Sequence, residues 1–225
     1  MEHKRSEDKK VAVILSGCGH FDGAEIRESV LSLLNLDKVK IKYEIYAPDK
    51  DQHHVIIHNK GEESQQKRNI LEESSRIARG KISALTKLDS QAFDALVLPG
   101  GFGVAKNLCT FAFNGANAEV DDLIKNLIID FHTQQKPIVS ICIAPALVAL
   151  CLGNKGVSLT IGNDIETANE ITKTGAKHIE CDPGDCVVDS KNKVISTPAY
   201  MYDNANLSVI NSGIEKSIAE LLKLI

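Results

Sequence analysis

The chain has 225 residues, a formal net charge of −4, 43% hydrophobic residues and 4% aromatic residues. This length and apolar content are enough for one substantial core without a disulfide scaffold. The charge gives no electrostatic footprint for nucleic acid, and no apolar run approaches the ~20 residues that a membrane span needs. The first ten residues are polar and mixed in charge. We therefore expect a disordered start over residues 1–10, a single domain over residues 11–225 and a cytoplasmic location.

The six cysteines are expected to be reduced thiols, because disulfides are rare in such a compartment. No C-x-x-C pair occurs, and no His/Cys spacing matches a standard zinc site. The sequence thus predicts neither a metal nor another cofactor.

Short β-branched apolar runs alternate along the chain with amphipathic segments. Strands are predicted at residues 11–15, 39–45, 55–57, 93–98, 137–141 and 159–161, with a hairpin over 187–196. Helices are predicted from residue 24, over 65–79 and 120–133, after residue 144, over 164–175 and over 204–224. In the first helix, the apolar residues at helical spacing are expected to face the core: Ile26, Val30, Leu33 and Leu34. This alternation predicts a mostly parallel α/β sandwich.

Three strand ends carry features of a site. Glycine-rich loops follow two predicted strands, at residues 16–23 and 99–103, and Cys142 follows a third. In open α/β sheets, binding sites lie outside the carboxyl ends of the strands. These three loops are therefore expected to converge.

Cys142 lies where a buried strand turns directly into a helix. Ser140 and Ala144 leave room for a sharp turn, and Pro145 suits the first turn of a helix. This pattern is typical of a nucleophile elbow. Because a helix N-terminus stabilises a thiolate, we expect Cys142 to be the most acidic thiol of the chain.

Three motifs in this order resemble the ThiJ/PfpI superfamily. They are Gly23-Ala24-Glu25, Leu98-Pro99-Gly100-Gly101 and Ile141-Cys142-Ile143-Ala144-Pro145. Further stretches resemble its ElbB branch, the "enhancing lycopene biosynthesis" or isoprenoid-biosynthesis-like proteins: Ser16-Gly-Cys-Gly, Ala47-Pro-Asp-Lys and Thr197-Pro-Ala-Tyr-Met. The resemblance runs from about Val11 to the C-terminus. It implies a three-layer, flavodoxin-like sandwich of the class I glutamine amidotransferase type.

The resemblance also implies roles for particular residues. Cys142 would be the nucleophile, and Glu25 would be the carboxyl group hydrogen-bonded to its sulfur and the general base. The N–H groups of Gly101 and Ile143 would form the oxyanion hole. The implied reaction is the conversion of glyoxal to glycolate without metal or other cofactor, and the implied assembly is a homodimer. From the residues alone, Glu25 could equally complement only the positive end of the helix dipole.

Departures from the superfamily pattern narrow the prediction. The residue after Cys142 is Ile143, where the superfamily's peptidases have histidine, and no late His-x-Glu pair occurs. Peptidase and glutaminase activities are therefore not expected. Three further residues are candidates for contact with a small aldehyde or dicarbonyl substrate: His20, Cys18 and Asn107. A second interpretation stays open, in which an oxidisable Cys142 thiolate serves a redox-responsive or protective protein that is accessory to isoprenoid biosynthesis.

Overall fold

The structure, a computed structural model, describes residues 6–225. Its central sheet has seven strands: β1 (Lys10–Ile14), β2 (Lys42–Ala47), β5 (Ser83–Ala84), β6 (Ala95–Leu98), β7 (Ile138–Ile141), β10 (Val187–Asp189) and β11 (Val194–Thr197). Two small two-stranded sheets pair β3 (Val55–Ile57) with β4 (Glu62–Ser64), and β8 (Ser158–Leu159) with β9 (Lys177–His178). The spatial order of the central sheet is β10-β11-β7-β6-β1-β2-β5, and only the β10–β11 pair is antiparallel.

Helices cover both faces of this sheet. They are α1 (Ile26–Lys38), α2 (Ile70–Ile77), α3 (Phe111–Asn114), α4 (Asp122–Thr133), α5 (Ala144–Leu152), α6 (Ile165–Lys173) and α7 (Leu207–Leu224). On one face, α1 and α7 pack over a core that includes Val13, Ile141 and Ile214. On the other face, α4 and α5 enclose Leu96, Phe131 and Leu147. The predicted three-layer, mostly parallel sandwich is confirmed.

Several predicted boundaries change. Of the expected disordered start, residues 1–5 lie outside the described residues, whereas Ser6–Asp8 forms a 3-10 helix. Strand β1 begins at Lys10, because the Lys10 N–H is held by the Asp94 carboxylate at 2.9 Å. The helix expected over residues 65–79 begins only at Ile70, where the Asn69 side chain caps it by accepting the Glu72 N–H.

Helix α1 turns an unexpected face toward the sheet. Ile26, Val30 and Leu34, predicted to be in the core, keep 44%, 48% and 45% of their surface exposed. The buried face consists instead of Glu28, Ser29, Ser32, Asn35 and Leu36. Polar burial is tolerated there because the serine hydroxyls donate to carbonyls of their own helix, Ser29 to Glu25 at 2.6 Å and Ser32 to Glu28 at 2.7 Å. The prediction for this face was wrong.

Within residues 6–225, no helix combines the length and the apolar character that a membrane crossing requires.

Candidate active site

Cys142 occupies the sharp turn between β7 and α5. Its backbone has φ of +62°, a left-handed conformation that non-glycine residues rarely adopt. The Cys142 N–H donates to the Thr197 carbonyl at 2.9 Å, and Pro145 lies in the first turn of α5. Strain of this kind persists only where the surrounding structure enforces it. The predicted strand–turn–helix context of Cys142 is thus present.

The loop after β6 approaches Cys142 so closely that only glycine fits. A Cβ atom on Gly100 would lie 2.4 Å from the Cys142 Cβ and 2.7 Å from a Glu28 carboxylate oxygen. Gly101 has φ of +96°, and a Cβ there would lie 2.4 Å from the Glu25 backbone nitrogen. These glycines let the strand end, the elbow and the first turn of α1 meet at one point.

The carboxyl group that meets the sulfur belongs to Glu28. Glu28 is fully buried, and its carboxyl group lies beside Cys142: a Cβ atom on Gly100 would touch both side chains, and the charge of Glu28 raises the pKa of the thiol. Its Oε2 accepts the Gly100 N–H at 3.0 Å, and its Oε1 accepts the Tyr200 N–H at 3.2 Å. Three separate segments therefore fix the orientation of this side chain.

Glu25 has a different task from the one expected. It is the N-cap of α1, and its Oε2 accepts the Glu28 N–H at 2.6 Å. Its own N–H donates to the Gly100 carbonyl at 2.9 Å. The prediction that Glu25 binds the sulfur was wrong, because a residue at the N-cap directs its side chain along the first turn of its helix. One turn later, Glu28 projects into the site.

The electrostatics of the pair also differ from expectation. Burial, together with the nearby Glu25 charge, raises the pKa of Glu28 to about 8. Burial and the Glu28 charge raise the pKa of Cys142 well above that of an ordinary thiol. The expectation that Cys142 is the most acidic thiol was wrong, because desolvation outweighs the helix N-terminus. The two groups titrate as one coupled pair.

Backbone N–H groups stabilise a negative charge on either member of this pair. The N–H groups of Gly101 and Ile143 lower the pKa of Cys142, against the larger effect of burial. The N–H groups of Gly100 and Tyr200 serve the Glu28 carboxylate in the same way. A single negative charge can therefore rest on either the sulfur or the carboxylate.

The loop residues expected to contact substrate form an outer layer. The His20 ring stacks beside Phe21 and His58, with centroid distances of 3.9 and 5.4 Å, and burial lowers its pKa. Cys18 is half-buried, and burial raises its pKa. Among the described residues, neither side chain forms a hydrogen bond with Cys142 or Glu28. The structure thus does not bring them into direct contact with the pair.

Asn107 holds loops together. Its Nδ2 donates to the carbonyls of Ser16 and Asp22, both at 2.9 Å, and its Oδ1 accepts the His53 N–H at 2.8 Å. The side chain is buried and engaged on every side. This contradicts the expected substrate contact: Asn107 positions the glycine-rich loop that follows β1.

Comparison with known proteins shows which family the chain belongs to. The sequence profile of the DJ-1/PfpI family matches residues 72–206. The chain belongs to the DJ-1/PfpI family.

Several relatives extend the match over nearly the whole chain. The human "Glutamine amidotransferase-like class 1 domain-containing protein 3, mitochondrial" is 43% identical over 96% of this chain and 83% of its own length. The zebrafish (Danio rerio) "ES1 protein, mitochondrial" is 31% identical over 95% and 85%. The crystal structure of an isoprenoid biosynthesis protein with an amidotransferase-like domain from Ehrlichia chaffeensis has a TM-score of 0.89 at 39% identity, covering 96% of this chain and all of that one.

These relatives correct one expectation. The human and zebrafish proteins are mitochondrial by name. This finding overturns the cytoplasmic location expected from the composition of the first ten residues. The composition of those residues was a poor guide to where the protein is located.

Membership of the DJ-1/PfpI family also indicates which kinds of reaction are relevant to this site. The family includes enzymes with a cysteine nucleophile, proteases and glyoxalases among them. Residues 6–225 contain no group of three His, Cys, Asp or Glu side chains placed to hold a metal ion. What this chain offers at the carboxyl edge of its sheet is a thiol, a carboxyl group and oriented N–H donors.

Proposed function

We propose that this chain is a cofactor-independent, glyoxalase-type enzyme that converts small dicarbonyls, glyoxal to glycolate in particular. Cys142 is the nucleophile, and Glu28 takes the acid–base role expected of Glu25. The observation that carries the proposal is the fully buried Glu28 carboxyl group, which lies beside the Cys142 thiol and whose pKa burial raises to about 8. A group with a pKa near the working pH can both give and accept a proton within one cycle.

The reaction begins from the form in which Glu28 is a carboxylate, which accepts the proton of the Cys142 thiol and so generates the attacking thiolate. The sulfur adds to one aldehyde carbon, and the carbonyl oxygen becomes an alkoxide. The Gly101 and Ile143 N–H groups, which already lower the pKa of Cys142, are suited to stabilise that oxygen. Glu28 then protonates the alkoxide, which leaves a hemithioacetal and a carboxylate.

The carboxylate completes the rearrangement. It removes the hydrogen of the sulfur-bearing carbon to give an enediolate and returns that proton to the neighbouring carbon, while the hydroxyl proton of the first carbon passes to the oxygen of the second. The product of this step is a thioester of glycolate on Cys142. Water then attacks the thioester carbon, the thiolate leaves, and glycolate is released. In sum, glyoxal and one water molecule give glycolate and one proton, with no external oxidant.

The redox-responsive alternative is supported less well. A sensor cysteine needs exposure, an acidic thiol and a nearby resolving thiol. Cys142 is only 7% exposed, and burial raises its pKa. No other cysteine is among the groups that perturb its pKa. A homodimer and a role accessory to isoprenoid supply stay predictions.

A direct assay tests the proposal. Purified protein with glyoxal should form glycolate in proportion to the glyoxal consumed, and turnover should continue in the presence of a metal chelator. Cys142→Ser should abolish turnover, because a serine hydroxyl is far less nucleophilic at neutral pH. Glyoxal that disappears without glycolate, or turnover that Cys142→Ser retains, would contradict the proposal.

A further inference from the structure

Two other thiols flank one closed turn on the β11 side of the sheet. Cys181 and Cys186 stand immediately before and after residues 182–185. The Asp185 N–H donates to the Asp182 carbonyl at 3.0 Å, which closes the turn through Pro183 and Gly184. A closed turn directs the two flanking residues back toward each other, which is the arrangement that a disulfide between them needs.

The electrostatics of the two thiols agree with this arrangement. Burial comes first, and the charges of Asp185 and of Cys186 next, among the causes that raise the pKa of Cys181 to about 11. Burial likewise raises the pKa of Cys186, which lies near Lys216, Ser217 and Glu220 of α7. Both thiols are half-buried and free. They are accessible to small reagents, unlike the buried Cys109 and Cys151.

We propose that Cys181 and Cys186 form a reversible intramolecular disulfide, a modification site separate from the Cys142 pair. With oxidised glutathione as the oxidant, one thiolate attacks a glutathione sulfur and releases one glutathione thiolate. The second protein thiol, on losing its proton, displaces the other glutathione from the mixed disulfide. The two cysteines thereby lose two electrons and two protons, and the oxidant becomes two glutathione molecules.

The surroundings determine how this pair behaves. The Asp185 carboxylate raises the pKa of both thiols, and the Glu220 carboxylate raises that of Cys186. Lys216 lowers both pKa values, but only enough to offset part of this effect. Because the protein does not stabilise these thiolates, few of the thiols are ionised and their attack on the oxidant is slow. For the same reason, ionised thiols add no stability to the reduced form of the pair. The disulfide should therefore form over hours rather than seconds and, once formed, resist reduction by glutathione.

The turn is joined to the wall of the active site. Thr197 Oγ1 donates to the Asp185 carbonyl at 2.7 Å, and the Tyr202 hydroxyl donates to the Cys181 carbonyl at 3.1 Å. The segment between them supplies the Thr197 carbonyl that holds the Cys142 N–H and the Tyr200 N–H that holds Glu28. Closing the disulfide should brace this segment.

Mass spectrometry tests the proposal on the full chain. After prolonged incubation with oxidised glutathione at pH 8.5, tryptic peptide 178–191, which contains both cysteines, should lose two hydrogens and resist alkylation. Amide hydrogen exchange over residues 197–202 should slow by roughly tenfold. Dithiothreitol should reverse both changes.

Matched variants make the result specific. Cys181→Ser and Cys186→Ser should each prevent the loss of two hydrogens, and Cys18→Ser, at another half-buried thiol, should not. If the peptide keeps its two hydrogens, or if either cysteine pairs with another chain or another cysteine, the proposal is wrong. If oxidation leaves amide hydrogen exchange over residues 197–202 unchanged, the disulfide does not stabilise this segment and that part of the proposal is wrong. None of these results depends on glyoxal turnover.

Discussion

Glu28→Gln should lower glyoxal turnover by roughly 10²–10⁴-fold, the usual range for the loss of a general acid–base group. The amide keeps the shape of the side chain, and its single oxygen can still accept one of the two N–H groups, of Gly100 or Tyr200, that the carboxylate oxygens accept separately. It can neither hold nor return the shared proton. The loss should therefore appear in kcat, and the measurement is steady-state glycolate formation at saturating glyoxal.

Glu25→Gln is the matched control, because the two glutamates stand three residues apart in the same turn of α1. The Glu25 side chain caps the helix. Replacing its carboxyl group by an amide should therefore lower the free energy of unfolding by at most about 1 kcal/mol. Turnover should stay within about threefold of the wild type. Equal losses in the two variants, or a loss confined to Glu25→Gln, would refute the assignment of the acid–base role to Glu28.

The free energy of unfolding should fall as the pH rises from about 5 to 8. In the folded protein, burial raises the pKa of Glu28 from 4.5 to about 8, so the folded state holds a proton that the unfolded chain releases. Below pH 4.5 both states are protonated and no penalty applies. Above about pH 8 the full penalty applies, and at about 1.4 kcal/mol per pKa unit it is at most about 5 kcal/mol.

Denaturant titrations at a series of pH values measure this dependence. Glu28→Gln carries no titrating group at this position, so its free energy of unfolding should fall less than that of the wild type between pH 5 and 8, by a few kcal/mol. Glu25→Gln should keep most of the wild-type slope. Parallel curves for the wild type and Glu28→Gln would contradict the raised pKa of Glu28.

The sequence predicts the elbow well because its requirements are local. A β-branched strand, small residues on both sides of Cys142 and a proline suited to the first turn of a helix act within ten residues. The role of the glycines that follow β6 can also be predicted from the sequence, because only glycine permits such close approach of the backbone. Parallel strand order then brings these loops together at one sheet edge.

The acid–base residue could not be assigned in the same way. Glu25 and Glu28 share the first turn of α1, and the choice between them depends on which face of the helix packs on the sheet. Hydrophobicity favoured the stripe of Ile26 and Val30, which the structure leaves exposed. The i, i+4 series of Ala24, Glu28, Ser32 and Leu36, which is fully buried, was the available clue. Small serines let α1 approach its neighbours, and long-range N–H donors from Gly100 and Tyr200 make the buried carboxyl group tolerable.

The pH dependence of Cys142 alkylation by iodoacetamide tests the central claim, that Cys142 and Glu28 share a proton. Fragmentation must locate the label, because Cys151 lies in the same tryptic peptide. Removing the Glu28 charge removes a cause of the raised Cys142 pKa. Above about pH 8, where the wild-type Glu28 is ionised, Glu28→Gln should therefore alkylate about tenfold faster than the wild type, with its profile shifted to lower pH. Glu25→Gln should follow the wild-type profile. If Glu25→Gln shifts the profile and Glu28→Gln leaves it unchanged, the sulfur is paired with the other glutamate and the account is wrong.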